Sequence, residues 1–229
     1  MFPIDVSALA FDLDGTLIDT IPDMEIAANN MLKELNLPSV NRREVEACIG
    51  AGLDYFIETL IVTCLKGKPV SSDLLSDANF IFRKEYKATI ACFSTVYPGV
   101  VDTLQMLKKK KIPIACVTNK PKLYAEKTLA SFNLKKFFKT VLAGDSLPRK
   151  KPDPMPLVHL AELLKIEMQR ILMIGDSEVD VKAARKAGAP VFCVSYGYHG
   201  DSSLESFKPD VILSSTRDIF NHVRFINNF

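Results

Sequence analysis

Two aspartates one residue apart, Asp12 and Asp14, stand where an apolar run meets a glycine, in Phe11-Asp12-Leu13-Asp14-Gly15-Thr16. Side chains alternate across a strand, but a glycine lets the backbone swing, so both acids can converge on one site just past a strand end. Taken alone, an Asp-x-Asp also fits a capping turn. A second acidic pair follows a second apolar run, in Ile174-Gly175-Asp176-Ser177-Glu178-Val179-Asp180, with Asp180 one helical turn beyond Asp176. Carboxylates crowded at neighbouring strand ends repel unless protons or a cation sit among them. Hard oxygen ligands with room for water and a substrate oxygen suit Mg²⁺. Asp180 by itself also reads as a solvated acid in the first turn of a helix.

Two further turns offer groups that hold anions. Val117-Thr118-Asn119-Lys120-Pro121 supplies a hydroxyl and main-chain N–H groups at a strand-to-helix turn, which is an anion site. Lys150-Lys151-Pro152-Asp153-Pro154 keeps a lysine outside regular helix just before a helix begins. From there a compact ammonium can reach a phosphate, although a Lys-Pro pair alone reads as a surface feature.

These residues need a scaffold, and the apolar pattern predicts one. Short β-branched runs recur at Val6 to Leu13, Ile112 to Thr118, Thr140 to Ala143, Arg170 to Ile174 and Pro190 to Ser195, with a weaker one at Asp210 to Leu213. Helical patterns separate them, so the wiring is βαβ. Continuous apolar strands are covered on both faces, which predicts an α/β fold with a parallel, doubly wound sheet. Ligands are then expected at the carboxyl ends of the strands. From Leu17 to about Ser94 only helical patterns appear: Pro22 to Leu35, Arg42 to Cys48, Leu53 to Leu65 and Ser71 to Lys87. So long a stretch without a strand predicts an all-helical insertion, residues 18–94, over a core of residues 1–17 and 95–229. Near Tyr97 the chain returns to the core, and Pro98 suits the first turn of a helix running to Lys110.

A chain of 229 residues, 48% hydrophobic, can bury a full core without staples. The formal charge of +2 and the lack of a basic stripe interleaved with aromatics argue against a nucleic-acid partner or an anionic membrane. The five cysteines are odd in number and never paired as Cys-x-x-Cys, which suits reduced thiols. Met1-Phe2-Pro3-Ile4-Asp5 carries no basic region, and Asp12 interrupts the apolar run that follows, so a cytoplasmic protein without a signal peptide is expected. The lysine run from Lys108 to Lys111 fits a solvated helix end, and His159, inside an apolar helical pattern, fits a packed or surface residue.

The four motifs, in this order and each at the end of a predicted strand, resemble those of the haloacid dehalogenase superfamily. Asp12-Leu13-Asp14-Gly15-Thr16 is similar to its first motif, Thr118 to its second, Lys151 to its third and Gly175 to Asp180 to its fourth. The helical insertion between the first and second motifs resembles the cap of one large branch. The resemblance implies a Mg²⁺-dependent phosphatase acting through an aspartyl-phosphate, with Asp12 as nucleophile and Asp14 as general acid and base. It implies metal binding by Asp12, the Asp14 carbonyl, Asp176 and Asp180, Asp180 directly or through water. Phosphate would be held by Thr118 and Lys151, with Leu13, Asp14, Thr16 and Asn119 completing the cradle. A proton on Asp14 is expected from the crowding of carboxylates.

Outside the motifs, Asp12 to Thr20 with Pro22-Asp23, Tyr97-Pro98-Gly99-Val100, Val117 to Pro121 and Tyr196-Gly197-Tyr198 together resemble phosphoglycolate phosphatases. His199-Gly200 departs from that pattern, where a small polar residue is expected. The implied partner is a small phosphorylated metabolite, 2-phosphoglycolate above others, and the implied assembly is a monomer or homodimer. The turn Ile49-Gly50-Ala51-Gly52 is either an ordinary interhelical turn or a loop laid against the active site. Pyrophosphatases and sugar-phosphate mutases of the same capped architecture remain alternatives, although such mutases carry valine at the position of Thr16. A binding protein on an inactive scaffold is the alternative outside enzymes.

Overall fold

The computed structural model describes residues 3–199 and 203–226, so Met1, Phe2 and Gly200 lie outside the described residues. Among the described residues ten strands form: β1 (Ile4–Val6), β2 (Ala8–Phe11), β3 (Ile18–Asp19), β4 (Thr95–Val96), β5 (Ile114–Val117), β6 (Thr140–Leu142), β7 (Ile171–Gly175), β8 (Val191–Val194), β9 (Val211–Leu213) and β10 (Val223–Phe225). Six of them make one sheet in the order β6-β5-β2-β7-β8-β9, every neighbouring pair parallel. The expected α/β, doubly wound sheet is therefore present. Its alternation is visible in β2, where Leu9 and Phe11 join one apolar cluster while Ala8 and Ala10 join another on the opposite face. Period-two side chains with both faces covered leave no polar side, which is why these strands read as unbroken apolar runs. Each fully buried Leu or Phe of this kind stabilises by about 1.5–3 kcal/mol.

Helices α5 (Val100–Lys109), α6 (Lys122–Ser131), α7 (Met155–Leu164), α8 (Glu178–Ala187) and the short α9 (Leu204–Phe207) lie between the later strands. The chain enters α5 through Gly99 at φ +87°, a left-handed conformation that glycine adopts without a Cβ clash. Pro98 therefore precedes that helix instead of opening its first turn. Lys108 and Lys109 end α5, and Lys108 and Lys111 sit exposed there, as a lysine-rich helix end should.

Between β3 and β4 come α1 (Ile21–Glu34), α2 (Arg42–Glu46), α3 (Leu53–Cys64) and α4 (Ser72–Thr89), packed around an apolar cluster that includes Met31, Phe56, Ile57, Phe82 and Tyr86. Pro22 falls in the first turn of α1, and Asn41 and Ser71 cap α2 and α4 with their side chains. The stretch is not wholly helical. Ile18 and Asp19 pair antiparallel with Val96 and Thr95, so a two-residue ladder closes the neck where the insertion leaves and rejoins the sheet. A two-residue strand has no period to detect, which is why the sequence pattern missed it.

The neck is also tied by Asp23, fully buried in α1. Its carboxylate accepts from the main-chain N–H groups of Ala91 and Phe93, each at 2.7 Å, and from the hydroxyl of Ser94. Asp23→Ala would leave those donors without their acceptor, the Ser94 hydroxyl among them buried. We expect a loss of about 2–5 kcal/mol in the free energy of unfolding, read from denaturant melts. A loss under about 1 kcal/mol would mean that water replaces the carboxylate freely.

Candidate active site

The central position of β2, flanked by β5 and β7, brings the carboxyl ends of three strands side by side. Asp12 follows β2, Thr118 follows β5 and Asp176 follows β7, so residues far apart in sequence meet at one edge, where the strand order reverses. Ligand oxygens of Asp12, Asp176 and Asp180 lie within 4.8 Å of one another. Lys151, at 2% side-chain exposure, reaches into this cluster, its Nζ 3.0 Å from Asp12 Oδ1 and 2.6 Å from Asp180 Oδ1.

Burial raises the Asp12 carboxyl to about 7; Lys151 opposes the rise, while Asp180 and Asp14 add to it. Asp176 is also pushed well above the usual carboxylate range, first by burial and then by the charges of Asp180 and Asp12. Burial works against the Lys151 ammonium, but Asp12 and Asp180 outweigh it and hold the lysine above its ordinary range. Three clustered carboxylates, two of them buried, with one lysine leave excess negative charge, and their oxygen-only donor set fits a hard divalent cation such as Mg²⁺.

Asp176 is held firmly. Its oxygens accept from the Thr16 hydroxyl at 2.8 Å and the Tyr198 N–H at 2.6 Å. Gly15, at φ +81°, approaches so closely that a Cβ there would lie 2.1 Å from Asp176 Oδ2, so no other residue fits this turn. Asp180 is no solvated helix acid. It is fully buried, and its Oδ2 accepts from the Ser177 hydroxyl at 2.7 Å and from the N–H groups of Asp176 and Ser177.

The Leu13 N–H is given to Asp12 Oδ1 at 2.7 Å, which orients that carboxylate. Thr16 is fully buried with its hydroxyl on Asp176, so it supports the acidic cluster and does not line the cavity. Asp14 shares the edge but not the cluster: its Oδ1 accepts from Lys120 Nζ and Thr20 Oγ1, each at 2.7 Å. The charge of Asp14 is felt at Asp12, but the backbone turn after Leu13 aims its side chain at a cation.

A cavity opens over this edge. Asp12, Asp14, Thr118, Asn119, Lys120 and Asp176 line its core side, facing Met24, Leu53, Phe56 and Tyr86 from the insertion. The turn from Ile49 to Gly52 lies against the site: Asn119 donates its amide to the Gly50 carbonyl and to the Lys151 carbonyl, both at 2.8 Å. Gly52, at φ +98°, leaves room for Lys150, whose Nζ would lie 2.4 Å from any Cβ placed there. The three tyrosines noted in the sequence gather near the first motif. Tyr97 packs tilted against Tyr196 with centroids 4.3 Å apart, and the Tyr196 hydroxyl donates to the Thr16 carbonyl. The Tyr198 hydroxyl donates to Asp19 and accepts from the Thr20 N–H.

Lys120, Thr20 and Tyr86 are the site residues that sequence reasoning missed. Lys120 had a signal in standing next to Asn119 in the second turn, whereas Tyr86 sits inside an ordinary helical pattern.

This fold, with its acidic cluster at the switch of strand order, belongs to the haloacid dehalogenase-like hydrolases, whose family pattern matches residues 9–194. The chain is thus an enzyme, a hydrolase. It is similar to the phosphoglycolate phosphatase of Nitrosospira multiformis, with 40% identity over 214 residues, 93% of this chain and 94% of that one. A phosphoglycolate phosphatase from Neisseria meningitidis is 36% identical over 223 residues, 96% of this chain and 94% of its own length. The crystal structure of a predicted phosphoglycolate phosphatase from Haemophilus somnus superposes with a TM-score of 0.91 at 33% identity, covering 94% of this chain and 97% of the other. Among the described residues no helix is long and apolar enough to cross a membrane.

Proposed function

We propose that this hydrolase removes phosphate from 2-phosphoglycolate, giving glycolate and inorganic phosphate, through a phosphorylated Asp12. The observation that carries this reading is the convergence of Asp12, Lys151, Thr118 and Asp176 at one strand edge, with Asp14 beside them and facing the same cavity. The named relatives, similar over nearly the whole chain, support the substrate.

Asp12 attacks phosphorus in line, and the phosphoryl group passes to its carboxylate as the ester oxygen leaves. Lys151 holds the nucleophile and a phosphoryl oxygen. The Thr118 hydroxyl accepts from the Lys120 N–H at 3.2 Å, which directs its own proton outward to a second phosphoryl oxygen. Asp14 hands a proton to the leaving oxygen and then takes one from the water that splits the aspartyl-phosphate. Mg²⁺ would be held by Asp12, Asp176 and the Asp14 carbonyl, with Asp180 acting through water because Lys151 and Ser177 already engage its oxygens. When bound, the ion screens the repulsion between an anionic nucleophile and an anionic phosphate. The helical insertion, residues 18–94, serves as a cap that excludes water and contributes the walls around the leaving group.

A phosphate-release screen over small esters, pyrophosphate and hexose phosphates tests the assignment. We expect 2-phosphoglycolate to have the highest kcat/KM. A clear lead for pyrophosphate or a hexose phosphate would overturn the substrate, and transfer of phosphate between ester positions without release would point to a mutase.

A further inference from the structure

Of the described residues that line the cavity, Lys120 is the one cation. It is 6% exposed and comes from the turn after β5, yet its Nζ reaches across to the insertion. There it donates to the Tyr86 hydroxyl at 2.6 Å, while the same Nζ donates to Asp14 Oδ1 at 2.7 Å. Burial disfavours its charge, but Asp14 and Tyr86 outweigh burial and hold the ammonium above the ordinary lysine range. Tyr86 is itself fixed, stacked on Phe82 and tilted against Tyr124 with centroids 5.5 and 5.2 Å away. An ammonium has three donors, so one remains beyond these two partners.

The chemistry proposed for Asp12 and Lys151 makes no use of this charge. Asp14 has to meet the leaving oxygen, so any leaving group is delivered next to Lys120. The neighbouring wall, formed by Met24, Leu53, Phe56 and Tyr124, carries no cation of its own, and Lys150 approaches the cavity at Gly52, apart from these residues. A carboxylate held there without one would lose its hydration uncompensated.

We propose that Lys120 determines specificity by binding a leaving-group carboxylate set one methylene from the ester oxygen, and that Tyr86 positions its Nζ to do so. This inference rests on the phosphatase reading, with Asp14 facing the leaving oxygen. In such a group the carboxylate oxygens lie about 3–4 Å from the ester oxygen by ordinary bond lengths. Lys120 Nζ, 2.7 Å from Asp14 Oδ1, therefore reaches the carboxylate while Asp14 addresses the ester oxygen. A neutral leaving group gains nothing from Lys120, and a carboxylate farther along a longer chain passes it by.

The test is a ratio, kcat/KM for 2-phosphoglycolate over kcat/KM for 2-hydroxyethyl phosphate, in which a hydroxymethyl group replaces the carboxylate. In the wild type the ratio should be well above one. Lys120→Met should lower it by about 10²-fold, because the anion then meets an apolar side chain. Tyr86→Phe, which keeps the ring and removes only the hydroxyl, should lower it severalfold. Loss of both activities in equal proportion, leaving the ratio unchanged, would overturn the proposal and leave Lys120 as a partner of Asp14 alone. Should Lys120→Met fail to fold, Tyr86→Phe decides, and an unchanged ratio there overturns it equally. A wild-type enzyme that hydrolyses both esters without preference would overturn the substrate reading and this inference together. Hydrolysis of neither ester would count against the phosphatase reading itself.

Discussion

Asp12→Asn is expected to lower kcat by at least about 10⁴-fold, because the amide keeps the shape of the side chain but removes the carboxylate proposed to take the phosphoryl. Affinity for Mg²⁺ should fall as well, since one of the three clustered carboxylates is lost. The fold should survive. Lys151 keeps Asp180 at 2.6 Å as its ion partner, and removing one of three clustered like charges relieves their repulsion. The melting temperature is therefore expected to equal or exceed that of the wild type. Phosphate release and thermal melting on the same preparation check both halves. Turnover above about 1% of wild type in a folded variant would exclude Asp12 as nucleophile. Exhaustive chelation should likewise stop the wild-type reaction, and a rate unchanged by chelation would remove the metal from the scheme.

Asp14→Asn should fail differently. The amide still offers an oxygen to Lys120 and Thr20, so the local geometry is kept, and the carbonyl proposed for the metal belongs to the main chain. What is lost is proton transfer, for which about 10²–10⁴-fold in kcat is expected. The loss should depend on the leaving group. An alkyl ester needs its oxygen protonated, whereas an aryl ester with an acidic phenol leaves unaided, so p-nitrophenyl phosphate should be spared most of the effect. Metal affinity, measured by calorimetric titration, should change no more than severalfold. Equal losses on both esters, or abolished Mg²⁺ binding, would reject the acid and base role of Asp14.

The two variants rest on different kinds of information. The meeting of Asp12, Thr118 and Asp176 was legible because each residue ends or follows a local apolar run, and parallel strands with helical crossovers must gather their carboxyl ends at one edge, whereas Lys151 was legible only through the family resemblance. Helices α1 to α4 were legible for the same reason, since the 3.6-residue period and the capping residues Asn41 and Ser71 are local signals. Glycines at 50 and 52 announced an unusual turn. Its contact with Asn119 needed the fold.

Aspartate spacing and the parallel, doubly wound sheet were thus legible in sequence alone: the candidate residues, and their place at the carboxyl ends of the strands. The tertiary structure decided their individual partners. Asp14 turns from the acidic cluster to Lys120, Asp180 spends its oxygens on Lys151 and Ser177, Thr16 supports Asp176, and Tyr86 meets Lys120 across the cavity. The contacts of Lys120 span 106 and 34 residues of chain. Periodicity reports which face a residue takes on its own element, whereas the direction in which a long polar side chain settles depends on which charges and hydroxyls other elements bring within about 3 Å after packing.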